Sequence, residues 1–281
     1  MKRLFVSLIL AAATLCAAGQ DYNWKVVTMD GSRSGCVTPS TDNVEAAIGR
    51  FEGNRYIAPS GKVFRKNSAA ARVARVVLDA QPKMARVKEV VGFSTEAMLS
   101  HRPESPLSNW VIDLLMAHTE KLAGKEVHMG ITNFGGIRMD MPEGTIILDD
   151  LLSMFPFKNY LVYIEHKGSQ LRKIIEAMAP RFQVLGGVNI VYDNGKLTSV
   201  LVDGKPIDDD KVYGLATISF LLNGGDGLKL SENAVSVTSF EDVNIIDAVL
   251  AYVKAETEAG RPIAYQSDGR VVIKGNMERR R

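Results

Sequence analysis

Asn133-Phe-Gly-Gly-Ile-Arg138 and, much further along, Phe220-Leu-Leu-Asn-Gly-Gly-Asp226-Gly227 are built alike. Each ends an apolar, strand-like run in a glycine turn and then presents side chains of a particular chemistry. An arginine carries a planar cationic fork that matches phosphate oxygens. A phenylalanine offers a face on which a base can stack, and an aspartate accepts hydrogen bonds from sugar hydroxyls. Together they describe a surface suited to a nucleotide, set at the ends of two strands that are far apart in the chain.

Around these turns, helical and strand-like segments alternate from residue 98 onward. Trp110, Val111, Leu114 and Leu115 mark one face of a helix over 107–122, and a strand over 127–132 feeds the Asn133 turn. A helix over 148–154 ends before Pro156, and a strand follows over 160–165. Ser169 is expected to cap a helix over 171–178 that buries Leu171, Ile174, Ile175 and Met178. Asp193-Asn194-Gly195 joins strands 188–192 and 197–202 as a hairpin. A strand over 212–219 leads into the second glycine turn. Ile245, Ile246, Val249, Leu250 and Val253 define a last helix, and 271–273 a closing strand. Hairpins mixed with helices predict an α+β fold with mixed sheets, not a doubly wound parallel sheet.

The N-terminal part reads differently. Lys2 and Arg3 precede an apolar run from Leu4 to Leu15, then Ala17-Ala18-Gly19, which is the pattern of a signal peptide over 1–19 cleaved after Gly19. Leu15 stands where a lipoprotein signal before Cys16 would carry a small residue. No later stretch is apolar enough to span a bilayer, so the mature chain is expected to be exported and soluble, in the periplasm or outside the cell. Cleavage leaves Cys36 alone, without a disulfide partner and with no nearby histidine, as a bystander. Residues 20–66 are expected to form a small β-rich extension, with a strand at Trp24, a short helix ending at Gly49 and a hairpin around Pro59-Ser60-Gly61. Ser68 opens a helix expected to bury Val73, Val76, Val77 and Leu78 before Pro82 stops it. The main domain is taken as 67–275, with 276–281 a solvated tail.

Thirty-four basic and 32 acidic residues leave a net charge of +2, which excludes a polyanion-binding class: a duplex reader is far more basic. No P-loop, dinucleotide fingerprint or nucleophile elbow occurs. Asp208-Asp-Asp210 reads as a solvated turn. His101 adjoins Arg102 and could line a ligand site, whereas His118 and His166 read as surface residues.

Further stretches complete a pattern: Arg102-Pro-Glu-Ser-Pro-Leu-Ser-Asn-Trp-Val-Ile-Asp113, Gly144-Thr-Ile-Ile, Phe155-Pro-Phe157, Gly168-Ser-Gln-Leu and Gly186-Gly-Val. In this order and at these spacings, about residues 98 to 274 resemble the C-terminal, substrate-recognition domain of the 5′-nucleotidases. The resemblance implies a layered α/β/β/α domain. It also implies site roles. Phe157 and Phe220 would sandwich the base, Arg138 and Arg102 would reach the phosphate, Asn133 would meet the base edge, and Asp226 would bind the ribose. Gly135, Gly136, Gly186, Gly187, Gly224 and Gly225 would set the backbone rather than touch ligand. The implied ligand is a nucleoside 5′-monophosphate or nucleoside.

Hydrolysis in that family depends on a two-metal centre in a separate N-terminal domain. Its Asp-x-His and Asn-His-Asp/Glu signatures do not occur among His101, His118, His128 and His166. The resemblance therefore implies no catalytic residue, metal or cofactor in this chain, and a metallophosphatase partner that completes the enzyme, with 20–66 as a docking candidate. A free-standing nucleotide binder used in scavenging or sensing is the alternative. A module that has lost its ligand is a third, opposed by the intact Phe, Arg and Asp positions.

Overall fold

A computed structural model describes residues 43–178 and 183–275. The expected signal peptide, the Trp24 strand, Cys36 and the tail lie outside them. The described residues divide into two compact units, with the division between Gln81 and Pro82.

The described part of the first unit comprises α1 (Val44–Ile48), β1 (Arg50–Glu52), β2 (Arg55–Ile57), β3 (Val63–Arg65) and α2 (Ala69–Ala80). The strands form an antiparallel meander in the order β1-β2-β3. Ser68 caps α2 as expected, its hydroxyl accepting from the Ala71 amide at 3.2 Å. The face α2 buries is not the expected one. Ala71 and Ala74 are inside, against a cluster with Tyr56, Phe51 and Phe64, while Val73 and Val76 are 67% and 71% exposed. Three aromatic rings already fill this small core, so the helix approaches through its smallest side chains. The Arg75 guanidinium lies 4.0 Å from the Phe51 ring centroid, adding a cation–π contact. Helix α2 thus belongs with the N-terminal elements, and the division falls at Gln81 rather than at the residue 66 boundary read from the sequence.

The second unit runs β4 (Val90–Ser94), α3 (Pro106–Ala123), β5 (Met129–Thr132), β6 (Gly144–Ile147), α4 (Leu148–Met154), β7 (Tyr160–Lys167), α5 (Gly168–Met178) and β8 (Val184–Gly186). It continues with β9 (Val188–Asp193), β10 (Lys196–Val202), β11 (Lys205–Pro206), β12 (Val212–Ile218), α6 (Ser219–Leu222), β13 (Ser236–Asn244), α7 (Ile245–Glu258) and β14 (Val271–Lys274). A five-stranded sheet has the order β13-β7-β12-β5-β8, and a four-stranded sheet the order β11-β10-β9-β14. Both are mixed: β12 runs parallel to β5 and antiparallel to β7, and β14 runs parallel to β9. The expected α+β class with mixed sheets is therefore the fold observed.

Helix α3 begins on a reciprocal cap. The Ser105 hydroxyl accepts from the Ser108 amide, and the Ser108 hydroxyl accepts from the Ser105 amide. Its apolar face buries Trp110, Val111, Leu114 and Leu115. It lies close to the five-stranded sheet because Gly130 and Gly186 open the way: a Cβ on either would come within 2.6 Å of the Met116 side chain. Helix α5 buries Leu171, Ile174, Ile175 and Met178, and the Tyr192 hydroxyl of β9 donates to its Ile175 carbonyl at 3.0 Å, joining the second sheet to it.

Candidate functional site

Register decides which loops meet. In the five-stranded sheet Leu161 of β7 faces Ile218 of β12, Thr132 of β5 faces Val184 of β8, and Asn244 of β13 faces Tyr160. Because β5 and β12 are parallel, the ends of both lie at the same sheet edge as the starts of β7 and β8. The turns 133–138, 155–159 and 219–227 therefore gather along one rim, although they are separated by up to ninety positions in sequence.

Hydrogen bonds stitch the turns together. The Arg138 amide donates to the Met154 carbonyl at 2.9 Å, tying the first turn to the entry of the second. The Tyr160 amide donates to the Ser219 hydroxyl at 3.2 Å, and the same hydroxyl lies 3.4 Å from the Asn159 Oδ1. This joins the Phe157 turn to the short helix α6, which carries Phe220. The Ile245 amide donates to the Asn159 carbonyl at 3.0 Å. Finally, Gln183, just before β8, donates through Nε2 to Asp226 Oδ2 at 2.8 Å.

The expected ligand residues sit on this rim. Phe157 and Phe220 are 49% and 40% exposed, an unusual state for two phenylalanines beside a well-packed core. Among the described residues neither ring stacks on another aromatic side chain. Phe220 is held from below by its own turn: a Cβ at Gly225 would come 2.5 Å from its ring, which is why only glycine fits there. Arg102, His101, Arg138 and Phe134 line one depression of about 330 Å³. The Arg102 guanidinium lies 4.9 Å from the Phe134 ring centroid, and an Arg138 Nη1 lies 3.5 Å from the Gly135 carbonyl oxygen. Two cations thus share one concavity, as an anion with several oxygens requires.

Asn133 is 7% exposed, and its Oδ1 accepts no hydrogen bond among the described residues. A Cβ at Gly136 would come 2.7 Å from that oxygen, so the glycine keeps the space beside it clear. Asp226 is exposed, with φ +53° in a turn opened by Gly224 at φ +86°. The six glycines divide into two groups. Gly135, Gly136, Gly224 and Gly225 shape the rim, whereas Gly186 and Gly187 lie away from it, packed against α3 and the His128 carbonyl.

Sequence reasoning missed Gln183, Ser219, Asn159 and Phe134. Gln183, Ser219 and Asn159 tie the ligand-bearing turns to one another from separate strands, and strand register has no local sequence signal apart from alternation, whereas Phe134 lies under the Arg102 guanidinium. It also misplaced His166, which is completely buried in β7, with Nε2 2.9 Å from the Leu230 carbonyl oxygen and Nδ1 without a partner among the described residues. Burial pushes its pKa down, against the pull of backbone hydrogen bonds. It faces inward because a central strand alternates faces, and position 166 falls on the covered one.

A second polar group lies inside, next to the Arg102 turn. Arg270 is 5% exposed. Its Nη1 and Nη2 each donate to Asp113 at 2.8 Å, Nη2 donates to Asp268 at 2.7 Å, and Nη1 also reaches the Leu185 carbonyl at 3.1 Å. Tyr265 donates to Asp113, and Asn109 donates to Glu104 at 2.9 Å, two residues from Arg102. Burial opposes the Arg270 charge, but the hydrogen bonds and charges of the two aspartates outweigh it and raise its pKa; Arg270 in turn lowers that of Asp268.

Among the described residues no three His, Cys, Asp or Glu side chains gather as a metal-ligand set. His128 and His166 are buried with partners of their own, so these residues do not fit a two-metal centre. No helix of the described residues is long and apolar enough to cross a membrane.

Residues 83–232 match the family model described as 5′-nucleotidase, C-terminal domain. Protein UshA of Yersinia enterocolitica is 31% identical over 170 residues, which are 57% of this chain and 30% of UshA. The 5′-nucleotidase of Bos taurus is 27% identical over 209 residues, 64% of this chain and 36% of that protein. The chain thus spans about a third of the length of these curated relatives. The crystal structure of a 5′-nucleotidase precursor from Thermus thermophilus superposes with a TM-score of 0.64 at 22% identity, over 74% of this chain and 44% of that one, and so shares the fold. With over half its length matched by the model, this chain belongs to the 5′-nucleotidase C-terminal domain family, a family of nucleotide metabolism.

Proposed function

We propose that the chain is an exported nucleotide-recognition module that holds a nucleoside 5′-monophosphate for a metallophosphatase partner, which cleaves the 5′-phosphate ester. The observation that carries this reading is the gathering of three turns on one rim, with two exposed phenylalanines, a two-arginine depression and an exposed aspartate. Arg102 and Arg138 take the phosphate, Phe157 and Phe220 stack on the base, Asn133 meets its edge, and Asp226 takes the ribose hydroxyls. A metallophosphatase domain supplies divalent metals, which polarise the phosphate and activate water. The described residues bind and orient. Export rests on the leader-like segment 1–19, and residues 20–66 are the candidate docking element for the partner.

Calorimetric titration of the full chain with adenosine 5′-monophosphate tests the reading. Binding is expected, weakened about tenfold in Phe220→Ala, since stacking contributes roughly 1–3 kcal/mol per base. No heat in the unaltered chain would overturn it. Phosphate release by the chain alone with a divalent metal, abolished by Arg138→Ala, would overturn the assignment of hydrolysis to a partner. Tight binding of adenosine itself, with no loss on Arg138→Ala, would favour the free-standing binder instead.

A further inference from the structure

Gln183 is 3% exposed and sits immediately before β8, and nothing in its neighbourhood of the sequence marks it. Its side chain reaches across to the 224–227 turn, where Nε2 donates to Asp226 Oδ2 at 2.8 Å. A carboxylate can only accept, so the amide must present its nitrogen to Asp226, which fixes the orientation of the other end. That other end, Oε1, is buried and accepts no hydrogen bond among the described residues. A buried acceptor left unsatisfied is destabilising, and an apolar side chain of similar shape would avoid the cost. The position therefore carries a polar group that the fold alone does not favour.

What the amide secures is the direction of the Asp226 carboxylate. Asp226 lies in an exposed turn in the left-handed backbone region. An exposed carboxylate can rotate, and a ligand that needs one rotamer must meet the cost of selecting it. The hydrogen bond from Gln183 restrains Oδ2, one of the contacts that hold the carboxylate.

We infer that Gln183 is a positioning residue that aims Asp226 at the sugar, and so sets the preference of the site for ribose over sugars lacking its hydroxyls. The inference rests on the reading of Asp226 as the ribose ligand. It concerns sugar discrimination rather than affinity as such, which separates it from a purely structural role. Such a role would lower affinity for all ligands alike and lower thermal stability with it.

The test uses the full chain and two probes, adenosine 5′-monophosphate and its 2′,3′-dideoxy analogue, titrated against the unaltered protein and Gln183→Met. Methionine keeps the length and shape of the side chain and removes both amide groups. The unaltered protein is expected to favour the ribonucleotide. Gln183→Met is expected to lose roughly tenfold of that preference, the scale of one hydrogen bond to a charged group, while its affinity for the dideoxy analogue and its Tm are held or raised. Gln183→Glu gives an independent readout. Its carboxylate opposes Asp226 at neutral pH, and the ribose preference should return as acidification protonates one of the pair and restores a donor. Unchanged ribose preference in both variants would overturn the inference while leaving the nucleotide reading intact. An equal loss for both probes would overturn it in favour of a structural role. If the unaltered protein bound neither probe, the nucleotide reading would fail first, and this inference with it.

Discussion

Arg270 and Arg138 show two uses of the same side chain within one domain. Arg270 is inside, its guanidinium filled by Asp113, Asp268 and the Leu185 carbonyl. Arg138 is on the rim, exposed, 3.5 Å from one carbonyl oxygen and sharing a concavity with Arg102. The interior arginine has its charge balanced by two carboxylates of the protein and acts as a clamp between α3, β8 and the approach to β14. The rim arginine turns its guanidinium toward solvent and a single carbonyl. Charge balanced within the fold contributes to architecture, and charge presented to solvent is available to an anion.

The largest effect should come from the interior. Arg270→Met leaves Asp113 and Asp268 facing each other across the vacated site. Breaking a buried ion pair on one side costs about 3–5 kcal/mol. Both aspartates keep some access to water, with side chains 30% and 54% exposed, so a loss of about 3 kcal/mol, the low end of that range, is expected in denaturant unfolding. A loss below about 0.5 kcal/mol, the range of ordinary surface substitutions, would remove the contrast between the two arginines.

Arg138→Ala should do the reverse. Unfolding stability should hold, while affinity for adenosine 5′-monophosphate falls about tenfold and affinity for adenosine does not change, as calorimetry would show. Equal losses for both ligands would mean that Arg138 shapes the turn instead of meeting phosphate.

The smallest effect concerns pH and tests where interior ends and rim begins. His166 is buried neutral, with a pKa below its ordinary value of 6.5, and holds Leu230, three residues past the Gly224–Gly227 turn. The unfolded chain takes up a proton there below about pH 6.5, and the folded chain does not until lower pH. Stability should therefore decline as pH falls from about 7 toward 5, with the loss complete only below the depressed folded value. His166→Gln can still donate to the Leu230 carbonyl and should flatten that slope in thermal unfolding.

The three long helices of the second unit were legible because a 3.6-residue apolar period survives wherever one face is buried: Leu171, Ile174, Ile175 and Met178 all point inward as read. The Asp193-Asn194-Gly195 hairpin was legible for a different reason, since its turn needs positive φ at Asn194 and Gly195 and has it. Strand β13 escaped. It is an edge strand whose Val237 is exposed and whose sequence mixes serine, threonine and acids, so no alternation survives. The α2 face was misread because hydropathy favours Val73 and Val76 while the available space favoured Ala71 and Ala74. At the rim, the residues with distinctive chemistry stood out from their glycine turns. Their supports, Gln183 and Ser219, become visible only once β8 is placed beside β5 and β7 beside β12.

The left-handed backbone at Asp226 also bears on how the site could change. At φ +53° a side chain with branching or bulk next to the backbone is strained, and the residues that adopt the conformation most readily are few: glycine first, then asparagine and aspartate. Single substitutions at this position are thus nearly confined to removing the side chain or neutralising it. A lineage that came to prefer a different sugar would have to rebuild the turn or alter the residues that lean on it, so variation in sugar choice should be sought at its neighbours.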